Sequence, residues 1–178
     1  GKWTPFREGL VFKEFIDTFK DGDYEVDNEL IKKVSDETTE ILSKCIDPNK
    51  NDLDKNDSTG LVIGQVQSGK TLSMTAVSAM AKDNGFGIVI VMSGNVTTLS
   101  SQTAERFELA LEGRNTIKIK NNPSVNWSPQ DHLTRSNRVL ENFINNKNFE
   151  ERETLLIITH KNPARINHIT ELFESIGH

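Results

Sequence analysis

The apolar positions of this chain follow two regimes that meet near residue 60. Before it they recur at three- and four-residue spacing, the period of a helix with one buried stripe. Along LVFKEFIDTF the stripe is Val11, Phe12, Phe15, Ile16 and Phe19. A second helix is predicted from near Asp27 to Ile46, with Leu30, Ile31, Val34, Ile41, Leu42 and Cys45 on one face and Pro48 just beyond its end. Both stripes must be covered, by each other or by a sheet. DPNKNDLDKNDST, residues 47–59, holds one leucine among polar and turn-forming residues and reads as a linker.

After residue 60, apolar runs of strand length alternate with helical patterns. LVIGQV, GIVIVM, TIKIK and TLLIIT are the predicted strands, and TIKIK alternates as an edge strand does. The predicted helices run over about Lys70 to Lys82, then TTLSSQTAERFELALE, SPQDHLTRSNRVLENFINN and NPARINHITELFESI. Ser128 before Pro129, and Asn162 before Pro163, are N-cap and first-turn signals. Gly85 and Gly113 are stop signals. Strands alternating with crossover helices predict an α/β fold of three layers, a mostly parallel sheet covered on both faces. The expected organisation is a helical segment over 1–46, a linker over 47–59 and an α/β domain over 60–178.

Between the first strand and its helix lies Gly64-Gln65-Val66-Gln67-Ser68-Gly69-Lys70-Thr71, which satisfies G-x-x-x-x-G-K-[ST] at every fixed position. The glycines let backbone N–H groups approach phosphate oxygens with no side chain in the way. Lys70 is expected to place its ammonium against the β- and γ-phosphates, and the Thr71 hydroxyl to ligate magnesium. The helix that follows adds the positive end of its dipole. These residues predict binding of ATP with Mg2+.

Charge and cysteine content change the picture little. The net charge of -5 resides before the loop: 9 Lys+Arg face 15 Asp+Glu in residues 1–59, against 12 and 11 in residues 60–178. There is no chain-wide basic field for nucleic acid, which leaves a local groove open. Cys45 is the sole cysteine, so no intrachain disulfide forms, and a reducing cytoplasm is the expected location. No apolar run approaches the ~20 residues of a membrane span, and GKWTPFREGL lacks the apolar core of a signal peptide. Asp52, Asp54 and Asn56 have calcium-loop spacing, but Asp57 and Ile63 stand where glycine and glutamate are required. His132, His168 and His178 show no metal-ligand spacing.

GQVQSGKT followed by GFGIVIVMSGNVTTLSSQTAERF resembles the first two motifs of superfamily-two helicase and translocase ATPases. In particular it is similar to the Z-one domain family of endonuclease-associated ATPases. Val66 to Thr71 match that family's loop; Leu99, Gln102 and Thr103 match its second element; LLIITHKNPARINHITELF looks like a later family segment. The resemblance spans roughly residues 60 to 175. It implies an incomplete P-loop fold of RecA-like type, preceded by helices, with ATP, magnesium and a nucleic-acid track, DNA above RNA. It also implies that Ser93, Asn95, Thr97, Thr98 and Gln102 meet a nucleic-acid backbone. An equally simple reading makes Thr97 or Thr98 a helix cap and puts Gln102 on a solvated face. Arg114, Lys118 and Lys120 with Trp127 form a modest basic stretch, either a stacking site for a base or surface charge beside a packed ring.

A P-loop ATPase also needs an acidic residue at the end of a neighbouring strand, to hold magnesium and orient water. TLLIIT ends in Thr159-His160, GIVIVM ends in Ser93-Gly94, and Asp36-Glu37 lies in a helical pattern before the loop. In the resembled family the acidic strand follows the Lys-Asn-Pro helix. The expectation is therefore the N-terminal part of a nucleic-acid-dependent ATPase tied to DNA restriction or defence, completed by a strand beyond residue 178. Two other readings share the loop: a small-molecule phosphotransferase, and a nucleotide-gated interaction module without turnover.

Overall fold

The computed structural model describes residues 3–20, 27–50, 70–93, 111, 116–121, 126–148 and 151–176. Among them the order is α1 (Leu10–Lys20), α2 (Asn28–Ser43), α3 (Lys70–Asp83), β1 (Ile88–Ser93), β2 (Thr116–Asn121), α4 (Pro129–Asn145), β3 (Thr154–His160) and α5 (Pro163–Ser175). The expected LVIGQV strand, the 51–59 part of the linker, the Gly113 stop and all of the TTLSSQ helix but Leu111 lie outside the described residues. The chain divides into two compact units, Gly1–Phe86 with Glu105–Glu112, and Gly87–Ala104 with Gly113–His178.

The first unit is built on α3. This helix has little apolar asymmetry because it is buried on several sides: Thr75, Ala76, Ser78, Ala79, Met80 and Ala81 are all out of water. Small residues allow the close approach, and both α1 and α2 lie against α3. From α1 come Val11, Phe12, Phe15 and Ile16, four of the five residues of the predicted stripe; the Phe19 side chain lies outside what the structure describes. The face of α2 differs from its pattern. Val34 and Leu42 are buried with Thr38 and Thr39, whereas Leu30 is exposed and Ile31, Ile41 and Cys45 are half-buried. Thr39 is admitted because its polarity is satisfied locally. Thr39 donates its hydroxyl to the Ser35 carbonyl at 2.7 Å and sits 3.8 Å from Met80 Sδ. Asp27 caps α2 by accepting from the Leu30 N–H at 2.6 Å.

The C-terminal end of α3 anchors the segments around it. Gly85 takes φ 89°, and the Phe86 and Gly85 N–H groups donate to the Ala81 and Lys82 carbonyls, each at 3.1 Å, a Schellman ending. The Asp83 carboxylate accepts from the Val11 and Phe12 N–H groups at 3.2 and 2.8 Å and so caps α1 from a distant part of the chain. Asn84 holds Phe6 at both backbone groups, accepting from its N–H at 2.6 Å and donating to its carbonyl at 2.9 Å. The first residues of the expected linker are tied down here too. Asn49 donates to the Asn84 carbonyl at 3.0 Å, within a turn closed by Asp47.

The second unit is a three-stranded parallel sheet of order β1-β3-β2 with two helices. Ile88, Ile90 and Met92 align with Leu155, Ile157 and Thr159 of β3, and these with Ile117, Ile119 and Asn121 of β2, so all share one face. On that face Leu155, Ile157 and Ile119 pack with Val139 of α4 and with Ile169 and Leu172 of α5. Leu156, on the opposite face, is equally buried, so β3 is covered on both sides. α5 is capped by Asn162, whose side chain accepts from the Ala164 N–H at 3.0 Å, with Pro163 in the first turn. Ser128 stands at the cap position of α4 without a side-chain capping bond, and Pro129 opens the helix.

At Gly9 an added Cβ would run into the Asp83 side chain. Gly9→Ala is expected to displace the carboxylate that caps α1 and to lower stability by about 1–3 kcal/mol. Asp83→Ala should cost about 0.5–2 kcal/mol by loss of the cap. Urea denaturation followed by far-UV circular dichroism checks both.

Candidate functional site

The sequence placed its phosphate site at the junction of a glycine loop and a helix. Gly64, Gln65, Val66, Gln67, Ser68 and Gly69 lie outside the described residues, and of Lys70 and Thr71 the backbone alone is described. That backbone is helical from Lys70, so α3 begins at the lysine of the motif. No acidic residue stands in its first turn, which leaves the positive end of the helix dipole uncancelled there. Farther along, Ala76, Ala79 and Met80 are wholly buried and hold the helix in place.

Of the second group of expected site residues, Ser93 lies at the sheet's carboxyl edge. Ser93 ends β1 in register with His160 at the end of β3, one step beyond the Met92–Thr159 and Asn121–Thr159 pairs. Asn95, Thr97, Thr98 and Gln102 lie outside the described residues. After His160 the chain turns sharply, with the Asn162 N–H donating to the His160 carbonyl at 2.8 Å, and Asn162 opens α5. His160 is half-buried and Lys161 exposed, at the edge where ligands of parallel α/β sheets bind. β1, β2 and β3 end in Ser93, Asn121 and His160, so no described strand ends in a carboxylate. Asp36 is in an exposed pair with Arg7 at 2.8 Å, and Glu37 lies 4.0 Å from Lys33.

An aromatic cluster joins the loop before α4, the first turn of α4 and the middle of α5. Trp127 stacks on His168, centroids 4.9 Å apart and planes 12° from parallel, and His132 tilts against it at 4.2 Å and 47°. The indole borders the apolar core of the sheet. In this arrangement Trp127 is a packed ring engaged by two imidazoles. Of the two sequence readings, the packed ring is the one the geometry matches. His132 is 6% exposed, its Nδ1 has no hydrogen-bond partner, and burial pushes its pKa below the ordinary 6.5, opposed by Asp131 and aided by Arg135. The sequence carried no spacing signal for this cluster, because its members come from a loop and two helices.

At the opposite, amino end of the sheet an open groove of about 530 Å³ is lined by Arg138, Glu141, Asn142, Asn145, Asn146 and Glu153. Glu153 immediately precedes β3, and its backbone N–H donates to Asn142 Oδ1 at 2.7 Å. Arg138 donates to Glu153 Oε1 at 2.7 Å, while Oε2 is buried without a partner. Beside the groove Arg152 lies over the Phe143 ring at 4.6 Å and donates to the Asn146 carbonyl at 2.7 Å. Phe143 in turn presses on Gly87, where a Cβ would approach the ring to 2.9 Å. Among the described residues no three His, Cys, Asp or Glu side chains converge as metal ligands. No described helix is long and apolar enough to cross a membrane.

Compared with known proteins, the chain matches no family model, no curated protein and no solved structure.

Arg138→Ala would strand the Glu153 carboxylate in a mostly buried position and is expected to cost about 1–3 kcal/mol. Replacing both partners by apolar residues, Arg138→Met with Glu153→Leu, should recover most of that loss. A double-mutant cycle by urea denaturation reads the difference.

Proposed function

We propose that this chain is the N-terminal part of a nucleic-acid-dependent ATPase, of helicase or translocase type, serving DNA restriction or a related defence process. The observation that carries the reading is the Gly64–Thr71 motif, complete at every fixed position, with a helix that opens at Lys70. Gly64 to Thr71 would cradle ATP, Lys70 would neutralise the β- and γ-phosphates, and Thr71 would ligate Mg2+. The parallel sheet and its βα order are compatible with a P-loop domain of RecA-like type. Ser93, Asn95, Thr97, Thr98 and Gln102 are the proposed nucleic-acid contacts, and the cytoplasm the proposed location.

Hydrolysis needs an acidic strand, and the sheet has an edge suited to receive one. β1 is an outer strand of the described sheet. Ile88, Ile90 and Met92 are 44%, 38% and 49% exposed, although they share the face that α4 and α5 cover over β3. The chain passes from β2 through α4 to β3, and α5 packs on the same face as α4. Parallel crossovers are right-handed in nearly all cases, so a strand following α5 would continue in the direction from β2 to β3. That direction leads to the outer edge of β1. An acidic strand beyond residue 178 would add there, cover the exposed row and bring its carboxylate to the sheet's carboxyl edge.

The test is ATP turnover by a chain extended past residue 178, with and without DNA. DNA-stimulated hydrolysis that Lys70→Ala reduces at least 100-fold (about 2.7 kcal/mol) is the expected result. Hydrolysis indifferent to every nucleic acid would overturn the motor assignment. Turnover stimulated by a metabolite would favour a phosphotransferase, and tight binding without turnover a nucleotide-gated module. For the 178-residue chain, Mg-ATP binding that Lys70→Ala abolishes is expected in a calorimetric titration.

A further inference from the structure

Two imidazoles and one indole converge between the first turn of α4 and the middle of α5. Trp127 belongs to the segment between β2 and α4, His132 to the first turn of α4, and His168 to α5. Their contacts, 4.2 Å for Trp127–His132 and 4.9 Å for Trp127–His168, tie three separate pieces of chain together at one end of the sheet. The same end carries His160 and Lys161.

The balance at His132 favours the neutral imidazole, with loss of hydration outweighing the pull of Asp131. Nδ1 of His132 is buried and meets no donor or acceptor, which a neutral imidazole tolerates as a bare lone pair. A proton on Nδ1 would create a buried N–H bond with no acceptor and a positive charge away from water. On α4 the charged neighbours are Asp131, which favours the proton, and Arg135, which opposes it. The Asp131 carboxylate is already engaged by Arg135 Nε at 3.0 Å, which limits what it can offer the imidazole. On α5 the group facing the indole is His168, stacked on it at 4.9 Å.

We propose that Trp127, His132 and His168 form a proton-sensitive latch that holds Trp127 against α4 and α5 when His132 is neutral and releases it when His132 is protonated. The folded state disfavours protonated His132, so the latch is closed above the ordinary histidine value of 6.5 and opens as the pH falls below it toward the depressed folded value. Opening exposes the indole and loosens the carboxyl end of the sheet beside His160 and Lys161.

The chain has two tryptophans, so Trp3→Phe leaves Trp127 as the reporter. Its emission is followed from pH 8 to pH 4.5 beside far-UV circular dichroism, and carbon-detected NMR titration of His132 is run on the unsubstituted chain. The expected result is a shift of Trp127 emission to longer wavelength with a midpoint below 6.5, at constant helicity, matching the His132 titration. His132→Leu in the same background should abolish the shift. Constant emission across the range, an unchanged transition in His132→Leu, a His132 titration at or above 6.5, or a shift that accompanies loss of helix would each overturn the latch.

Discussion

A segment as apolar as TLLIIT cannot stay at the rim of a sheet. Leu155 and Ile157 point to one face and Leu156 to the other, and all three are removed from water. Burial of that kind is worth about 1.5–3 kcal/mol per side chain and demands cover on both sides. A central position between β1 and β2 pairs both edges of the strand and leaves its two faces to be covered by packed elements, and parallel pairing then requires a crossover on each connection. The core of the unit follows from this one strand. Val139 of α4 and Ile169 and Leu172 of α5 close one face over Leu155 and Ile157, and Trp127, Leu133 and Phe173 border them.

In the first unit the same burden falls on a helix. Most buried positions of α3 are alanine, serine, threonine or methionine, so neighbouring helices can approach it closely. Its end, Asp83-Asn84-Gly85, is polar and yet holds other segments. Asp83 supplies the negative cap that α1 lacks in its own sequence, Asn84 pairs with the Phe6 backbone, and Gly85 turns the chain with a positive φ. The unit depends on these long-range hydrogen bonds as well as on apolar contact. They join residues more than seventy positions apart.

The functional reading draws on chemistry from both levels. A helix that begins at Lys70 with no acidic residue in its first turn suits an anion. An outer strand with three exposed apolar residues in a row is costly in water and suits a sheet that takes another strand. The groove of Arg138, Glu153 and three asparagines lies at the amino end of the sheet, away from the edge where α/β ligands gather, and its hydrogen bonds serve to seat β3 against α4.

Element types were legible along the chain because they depend on local period and on local caps. The helical stripe of α1, the alternation of β2, the Asn162 cap, Pro129 and Pro163 at helix starts and Gly85 at a helix end are all short-range features. So is the Gly64–Thr71 pattern, eight consecutive residues from which the proposal of a phosphate loop is read. Strand order, the choice of buried face on α2, the capping of α1 by Asp83 and the meeting of Trp127 with His132 and His168 were not legible. Each depends on which distant groups come within a few ångströms, and no period or spacing encodes that. Thr38 is buried and Leu30 exposed because α3 lies against one side of α2 and not another, so packing overrode hydrophobicity.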